Sequence, residues 1–235
     1  MNKGLWGFIT KITVVMALLP AVTVAQDLDE AVVTAQAHVF GPKDIDGQSI
    51  AGIPASHIRW LLDREAVRDV LTRYTRGLDR HDAILIASAF WPDAQINYGN
   101  TFSGLRDKFV AWSIADDKER FIAHTHNVTN QTIDFDGNIA HVETYLIGIE
   151  QRRSREVQVL AGRYIDRLER RDGEWRISVR EFVLDTMGLA DGSGFEPGKS
   201  CRGACGVMDR NDLSYARPLK RRVLPKPDQG SLIPK

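Results

Sequence analysis

Hydrophobic and polar positions change their period once along the middle of this chain. In the first part, apolar residues recur at steps of three and four, which is typical of one face of a helix. In the second part they alternate with polar residues, which is typical of strands in a half-buried sheet. Helices followed by hairpin-linked strands indicate an α+β fold.

Three helices are predicted. The first runs over residues 56–80 with Ser56 as its N-cap, and the second over 83–90 with Asp82 as its N-cap. The third runs over 104–115 and is capped by Ser103. The apolar face of the first helix comprises Ile58, Leu61, Leu62, Val67, Val70, Leu71, Tyr74 and Leu78.

A short strand is predicted over residues 95–98, after the breaking sequence Trp-Pro-Asp-Ala. Four longer strands follow it, over 121–135, 139–150, 157–169 and 175–185. Asp136-Gly137 is a strong tight-turn signal between the first two of these. In the last strand, the alternation leaves open whether Arg180 or Glu181 faces inward, because a single bulge would reverse the assignment.

The chain ends differ from this middle part. Lys3 and Lys11 precede a short apolar run that closes on Thr-Val-Ala, so we interpret residues 1–25 as a signal peptide cleaved after Ala25. An uncleaved anchor is the alternative, although the run is short for a bilayer span of ~20 residues. The protein is then periplasmic or secreted, with no stable membrane insertion after cleavage.

Two segments flank the predicted domain of residues 56–187. Residues 26–55 contain several glycines and prolines without periodicity, which indicates an extended arm. Residues 188–235 are a Gly/Ser-rich and then basic, Pro-rich tail, in which 209–218 is a candidate for docking on a neighbouring subunit. Cys201 and Cys205 in this tail are interpreted as a local disulfide or as two free thiols.

Overall charge gives no support for binding to nucleic acid. Lys+Arg and Asp+Glu number 31 each, so the formal net charge is zero. A basic cluster at 220–222 carries only three charges, which is too few for such a claim.

Several motifs, taken in order, resemble the SnoaL-like group of the nuclear-transport-factor-like cone folds. The resemblance covers residues 58–187. The matching segments are Leu62–Leu71 with Tyr74-x4-Asp79, Trp91-Pro92-Asp93-Ala94, His126-x3-Asn130, Asp136-Gly137, Gly162–Arg167 and Asp172–Ile177.

This resemblance implies a cone-shaped curved antiparallel sheet wrapped around three N-terminal helices, enclosing a pocket. Members of the group include dehydratases, a dehydrochlorinase, polyketide cyclases and formaldehyde-releasing lyases, and also noncatalytic subunits. Several of the enzymes use an Asp–His pair without a cofactor. The resemblance also implies a homo-oligomer, either a trimer or a dimer.

Carried over by motif, the pair is Asp79 and His126, and Tyr74 is a third catalytic candidate that donates a hydrogen bond. Each also has a structural interpretation: Asp79 as a helix cap or arginine partner, His126 as a structural histidine, and Tyr74 as a core residue. The residues expected to bind substrate are His124, Arg180, Trp112, Asn130 and Tyr145.

The His124-x-His126 spacing also permits a metal site. On a strand both side chains point to one face, and Asp79 would supply a third ligand. We expect no metal and no cofactor, because the neighbouring residues supply no further ligand and the resembling enzymes are metal-free. His81 and Asp82 are predicted to be turn and cap residues.

Together these features predict an exported, cofactor-independent lyase or isomerase. The substrate would be a hydrophobic aromatic or polycyclic small molecule, and the reaction would be proton abstraction followed by dehydration or loss of formaldehyde. The alternative is a noncatalytic small-molecule-binding or assembly module of the same fold.

The signal-peptide assignment can be tested directly. We expect the protein recovered from a bacterial periplasm to begin at Gln26, because signal peptidase reads the small residues that end at Ala25. Intact-mass spectrometry measures this. A mature protein that still contains residues 1–25 would contradict the assignment.

Overall fold

The computed structural model of the protein describes residues 49–50, 53–194 and 205–220. The predicted signal peptide, most of the predicted arm and Cys201 lie outside these ranges. Two short strands, β1 (Ser49–Ile50) and β2 (Ile53–Pro54), form a small antiparallel sheet. None of the helices in the described ranges has the length and apolar character needed to cross a bilayer.

Three helices precede the four long strands of the main sheet, as predicted. They are α1 (Ala55–Asp79), α2 (Ala83–Ser88) and α3 (Arg106–Arg120). The Asp82 carboxylate caps α2 as expected, accepting a hydrogen bond from the Leu85 amide at 3.2 Å.

The caps predicted for the other two helices are wrong. Pro54 occupies the N-cap position of α1 without a side-chain hydrogen bond, so Ser56 does not cap it. Ser103 belongs to a short strand instead of capping α3, whose N-cap position is held by Leu105.

The main sheet has six strands and is curved. Their order across the sheet is β4-β3-β8-β7-β6-β5. All neighbours are antiparallel except β3 and β8, which run parallel, so the prediction of a wholly antiparallel sheet needs this one correction. The strands are β3 (Phe90–Asn97), β4 (Ser103–Leu105), β5 (Phe121–Asp136), β6 (Ile139–Arg152), β7 (Glu156–Arg171) and β8 (Glu174–Asp191).

Strand β3 begins earlier than predicted, because Trp-Pro-Asp-Ala lies within it. Phe90 pairs with Ile177 and the next paired residue is Gln95, so Pro92 falls where the register of β3 against β8 shifts. A proline is tolerated at such an irregularity because no ladder hydrogen bond requires its missing N–H. Strand β8 also continues to Asp191, beyond the predicted end at 185.

The helices pack against the concave face of the sheet. Val67, Val70, Leu71 and Tyr74 of α1 are fully or almost fully buried there. Gly77 allows α2 to approach closely, since a Cβ atom at this position would lie 2.8 Å from the Ile86 backbone nitrogen. The predicted apolar face of α1 is therefore confirmed in its C-terminal half, whereas Leu61 and Leu62 near the start of the helix are exposed.

A bulge in β8 decides which residue of the last strand faces inward. Ile177 pairs with Leu168 and Val179 with Arg167, so Ser178 is the extra residue. The alternation consequently reverses, and Arg180 is 0% exposed. Its guanidinium donates to both carboxylate oxygens of Asp166 on β7, at 2.7 and 2.6 Å.

The described C-terminal segment, 205–220, packs on the end of α1 of the same chain. Tyr215 donates a hydrogen bond to the Asp82 carboxylate at 2.8 Å, and Arg76 stacks over the Tyr215 ring at 4.7 Å. Asp212 forms an ion pair with Arg80 at 3.4 Å. These contacts give 209–218 a docking site on its own chain, in place of the neighbouring subunit expected from sequence. Cys205, at the start of this segment, is disulfide-bonded.

The buried Arg180–Asp166 pair supports a stability prediction. Asp166→Asn should lower the free energy of unfolding by about 3–5 kcal/mol, because it leaves a buried guanidinium without its counter-charge. The matched control is Asp185→Asn, which breaks the solvent-exposed pair with Arg163 and should leave the free energy of unfolding almost unchanged. Urea unfolding measures both variants, and equal losses would show that burial of the pair does not matter.

Candidate active site

A cavity of about 430 Å³ opens between the helices and the concave face of the sheet. This volume suits a small organic ligand. Its wall is largely aromatic, comprising Tyr74, Tyr98, Phe109, Trp112, Phe121, Tyr164 and Phe182. Leu184 and Met187 also line it, and since both are about half exposed they lie at its opening.

Asp79 and His126 meet at one side of this cavity. Asp79 is the last residue of α1, and His126 lies on β5, which packs against that helix. His126 Nδ1 lies 2.7 Å from Asp79 Oδ1, and the backbone N–H of His126 donates to the same carboxylate atom at 3.1 Å. The carboxylate therefore binds both the ring and the backbone of one residue, which fixes the orientation of the imidazole.

This geometry determines which nitrogen of His126 is available. A carboxylate only accepts hydrogen bonds, so Nδ1 carries a proton, and in the neutral ring Nε2 has the free lone pair. Burial by itself lowers the pKa of His126, but the hydrogen bond and negative charge of Asp79 outweigh burial, and the pKa is raised overall. His126 lines the cavity whereas Asp79 lies behind it.

Two buried carboxyl groups share this polar end of the cavity with His126. Burial raises the pKa of Asp117 on α3 to about 7, even though the charge of His126 opposes the shift. Burial also raises the pKa of Glu150 on β6, whose Oε2 accepts a hydrogen bond from Gln158 at 2.5 Å. Near neutral pH the Asp117 carboxyl group can therefore exchange a proton with a bound molecule.

A pair of tyrosines lies in the aromatic wall. The hydroxyls of Tyr74 and Tyr98 are 2.5 Å apart, and burial raises the pKa of both phenols, so both stay neutral. The hydroxyl of Tyr164 also interacts with both of them, so these three phenols form one polar cluster in the cavity wall. A hydroxyl of this cluster can donate a hydrogen bond to a ligand.

Arg180 supports these tyrosines and does not line the cavity. Its guanidinium lies 4.2 Å from the ring centroid of Tyr74 and 4.0 Å from that of Tyr164, with both Asp166 oxygens at its edge. Asp166 neutralises the charge of Arg180, and aromatic rings cover its guanidinium. Arg180 therefore lies behind the cavity wall and supports the tyrosines, whereas the sequence predicted that it binds substrate.

Of the other predicted substrate contacts, only Trp112 lines the cavity. Asn130 is exposed, because the register of β5 shifts between Val128 and Gln131 and carries it away from the concave face. Tyr145 is 42% exposed on the outer face, beside Arg163. Neither residue can contact a molecule in the cavity.

His124 is also behind the cavity wall. Its Nε2 lies 3.1 Å from the Leu78 carbonyl oxygen, and its Nδ1 lies 3.8 Å from Asp117 Oδ2. Burial, with a contribution from the charge of His126, lowers the pKa of His124 to about 4. The ring is therefore neutral at physiological pH, and the prediction that it touches substrate is not supported by its position.

The cavity residues that sequence reasoning missed include three with polar groups at the site, Asp117, Glu150 and Tyr98, and two of these left a signal. Asp117 follows the buried positions Phe109 and Ser113 at steps of four, so it continues the apolar stripe of α3. Glu150 lies four residues after Leu146 on β6, so both side chains point to the same, inward face of the strand. A lone acid on a buried stripe marks a polar site. Tyr98, at the end of β3, left no such signal.

The residues in this cavity suit proton transfer to and from an apolar molecule. His126 Nε2 can accept a proton, Asp79 stabilises the resulting imidazolium, and the tyrosine pair can donate to a developing negative charge. The buried acids can return a proton to a leaving group. The aromatic side chains of the wall lower the local dielectric constant, which strengthens each of these electrostatic interactions.

Comparison with known proteins identifies the family of this fold. Residues 59–181, just over half of the 235-residue chain, match the SnoaL-like domain. No curated protein matches the sequence.

Solved structures share the same fold. A hexachlorocyclohexane dehydrochlorinase, LinA type 2, is 19% identical with a TM-score of 0.57, over 60% of this chain and 98% of that one. LinA type 3 from Novosphingobium barchaimii is 20% identical with a TM-score of 0.56, over 60% and 98%. A protein from Novosphingobium aromaticivorans, provisionally described as a scytalone dehydratase, is 24% identical with a TM-score of 0.51, over 55% and 87%.

Proposed function

Since this chain belongs to the SnoaL-like family, we propose that it is a lyase that needs no cofactor for its chemistry and acts on a hydrophobic aromatic or polycyclic small molecule. The observation that carries the proposal is the 2.7 Å contact between Asp79 and His126 at the polar end of an aromatic cavity. Export to the periplasm or medium is part of the proposal and rests on the sequence of residues 1–25.

The proposed reaction is an elimination. His126 Nε2 removes a proton from the carbon adjacent to the one that bears the leaving group, and the electrons of that C–H bond form the double bond between these two carbons. The leaving group departs with its bonding electrons and takes a proton from Glu150, a buried carboxyl group of the cavity. For a hydroxyl leaving group the product is water and an alkene.

Loss of formaldehyde uses the same residues in a different order. His126 then removes the proton of a hydroxymethyl O–H, the C–C bond breaks, and the new carbanion takes a proton from a buried acid. The Tyr74–Tyr98 pair would donate a hydrogen bond to the group that becomes negative in either reaction.

The elimination is tested with a substrate panel and two variants of the pair. The panel contains aryl carbinols, hydroxymethyl diaryl compounds and chlorinated cyclohexanes, assayed by alkene absorbance, formaldehyde and chloride. His126→Ala should lower kcat/KM for any converted compound by ~10²–10⁴-fold, which is the usual contribution of one placed base. Asp79→Asn should lower it comparably, because an amide at this position can turn the imidazole to the tautomer that has no lone pair at Nε2.

The matched controls are His141→Gln and Asp136→Asn, which replace exposed residues of the same sheet. Both should keep the wild-type rate. A near-wild-type rate in either pair variant would refute the assignment. A compound that raises Tm of the wild type but is never converted would instead favour the noncatalytic binding module.

We also propose that the protein is a homo-oligomer that associates through the outer face of its sheet. Five large apolar side chains are 38–45% exposed on this face. They form the outer-face patch, which comprises Tyr145, Ile147 and Ile149 on β6 and Val159 and Ile165 on β7. Arg163, which pairs with Tyr145 across the strands, lies between the two β7 residues. A patch of this kind marks an interaction surface, and a second copy offers the same apolar patch.

Ile147→Glu should convert the oligomer to a monomer, because it places a charge in the middle of the outer-face patch. The control is Ile84→Glu on α2, where the wild-type side chain is 74% exposed and away from the sheet. Light scattering after size-exclusion chromatography gives the mass of each. A monomeric wild-type protein, or an unchanged mass for Ile147→Glu, would overturn the proposal.

A further inference from the structure

Behind the cavity wall, two imidazoles and one carboxylate converge on a single point. They belong to His81 after α1, Asp117 on α3 and His124 on β5. One ligand atom from each residue lies within 4.8 Å of the other two. This cluster differs from the His124, His126 and Asp79 set that the His-x-His spacing suggested, because Asp79 already binds His126 Nδ1.

The histidine nitrogens that face this point have no other partner. His81 Nε2 and His124 Nδ1 are both buried, and neither has a hydrogen-bond partner among the described residues. The side chain of His124 is 0% exposed, and its Nδ1 points at Asp117 Oδ2 from 3.8 Å. A buried polar atom left without a hydrogen bond destabilises the folded state, so its persistence calls for an explanation.

The other nitrogen of His124 is already committed. His124 Nε2 lies 3.1 Å from the Leu78 carbonyl oxygen, so it carries the proton and leaves the lone pair on Nδ1. The backbone of Met208 similarly contacts the ring of His81. Histidines that bind metals are commonly held in this way, with the far nitrogen bonded to a backbone carbonyl.

From this arrangement we propose that His81, Asp117 and His124 bind a divalent cation of the zinc type. Two imidazoles and one carboxylate form a donor set that suits Zn²⁺ and similar borderline metals. In a tetrahedral site, ligand atoms that lie about 2.0–2.2 Å from the ion are about 3.3 Å from one another. Small side-chain rotations would bring the three atoms to this spacing, and Asp117, which lines the cavity, places the fourth position near it.

The site would bracket the Asp79–His126 pair. His81 follows Asp79 by two positions, and His124 precedes His126 by two. The rings of His124 and His126 are 5.4 Å apart. A bound cation would therefore join the two chain segments that present the pair, and it would do so without displacing either member. His81 has a φ of 45°, a strained backbone for a residue other than glycine, which such a ligand would help to hold.

Zinc binding tests this site independently of any enzymatic activity. The untagged full chain is stripped with a chelator, kept under non-reducing conditions so that the disulfide stays closed, and titrated with ZnSO₄ against a competing fluorescent indicator. We expect one equivalent of zinc per chain. His81→Gln and His124→Gln should each weaken zinc binding by about 100-fold or more, beyond the loss that removing an outer partner causes.

Two further variants decide between the possible ligand sets. His141→Gln controls for adventitious binding to an exposed histidine and should keep full affinity. His126→Gln should also keep it, whereas a loss there would indicate the His124, His126 and Asp79 set. Absence of zinc binding by the wild type, or equal binding by the His81 and His124 variants, would overturn the proposal. Circular dichroism of each variant separates a lost site from a lost fold.

Discussion

One carboxylate, that of Asp79, joins the end of the first helix to the middle of a strand 47 residues away. It accepts hydrogen bonds from both the backbone and the ring of His126. Because the backbone bond fixes the position of β5 relative to α1, the ring bond has a defined length and direction. The tautomer of His126, and with it the proposed chemistry, depends on how α1 packs into the sheet.

The packing of α1 in turn depends on the contact between Tyr74 and Arg180 of β8. Tyr74 lies one helical turn before Leu78, against the guanidinium of Arg180. Arg180 can be buried there because Asp166 neutralises it with two hydrogen bonds. An ion pair thus supports a layer of aromatic rings, and these rings hold both the helix and the cavity wall in place.

Much of this arrangement could be predicted from sequence. The steps of three and four placed Tyr74 on a buried face, and the family motifs brought Asp79 and His126 together. Bulges could not be predicted: Ser178 reverses the alternation before Arg180, and the shift after Val128 carries Asn130 outward. Tyr145 was misplaced for a related reason, since it stands in a run of apolar residues, Tyr-Leu-Ile, whose parity the pattern does not reveal. Only strand pairing decides which of them faces the helices.

The two ends of the cavity differ in how freely they can change. The aromatic wall is tightly packed, because each ring in it contacts another ring or the buried Arg180–Asp166 pair. Leu184 and Met187 at the opening are half exposed, so packing constrains their side chains less. Substitutions at the opening therefore alter which molecules enter while the proton-transfer groups stay where they are. Such a scaffold can come to bind different small molecules in small steps, and the cost to stability of each step is low.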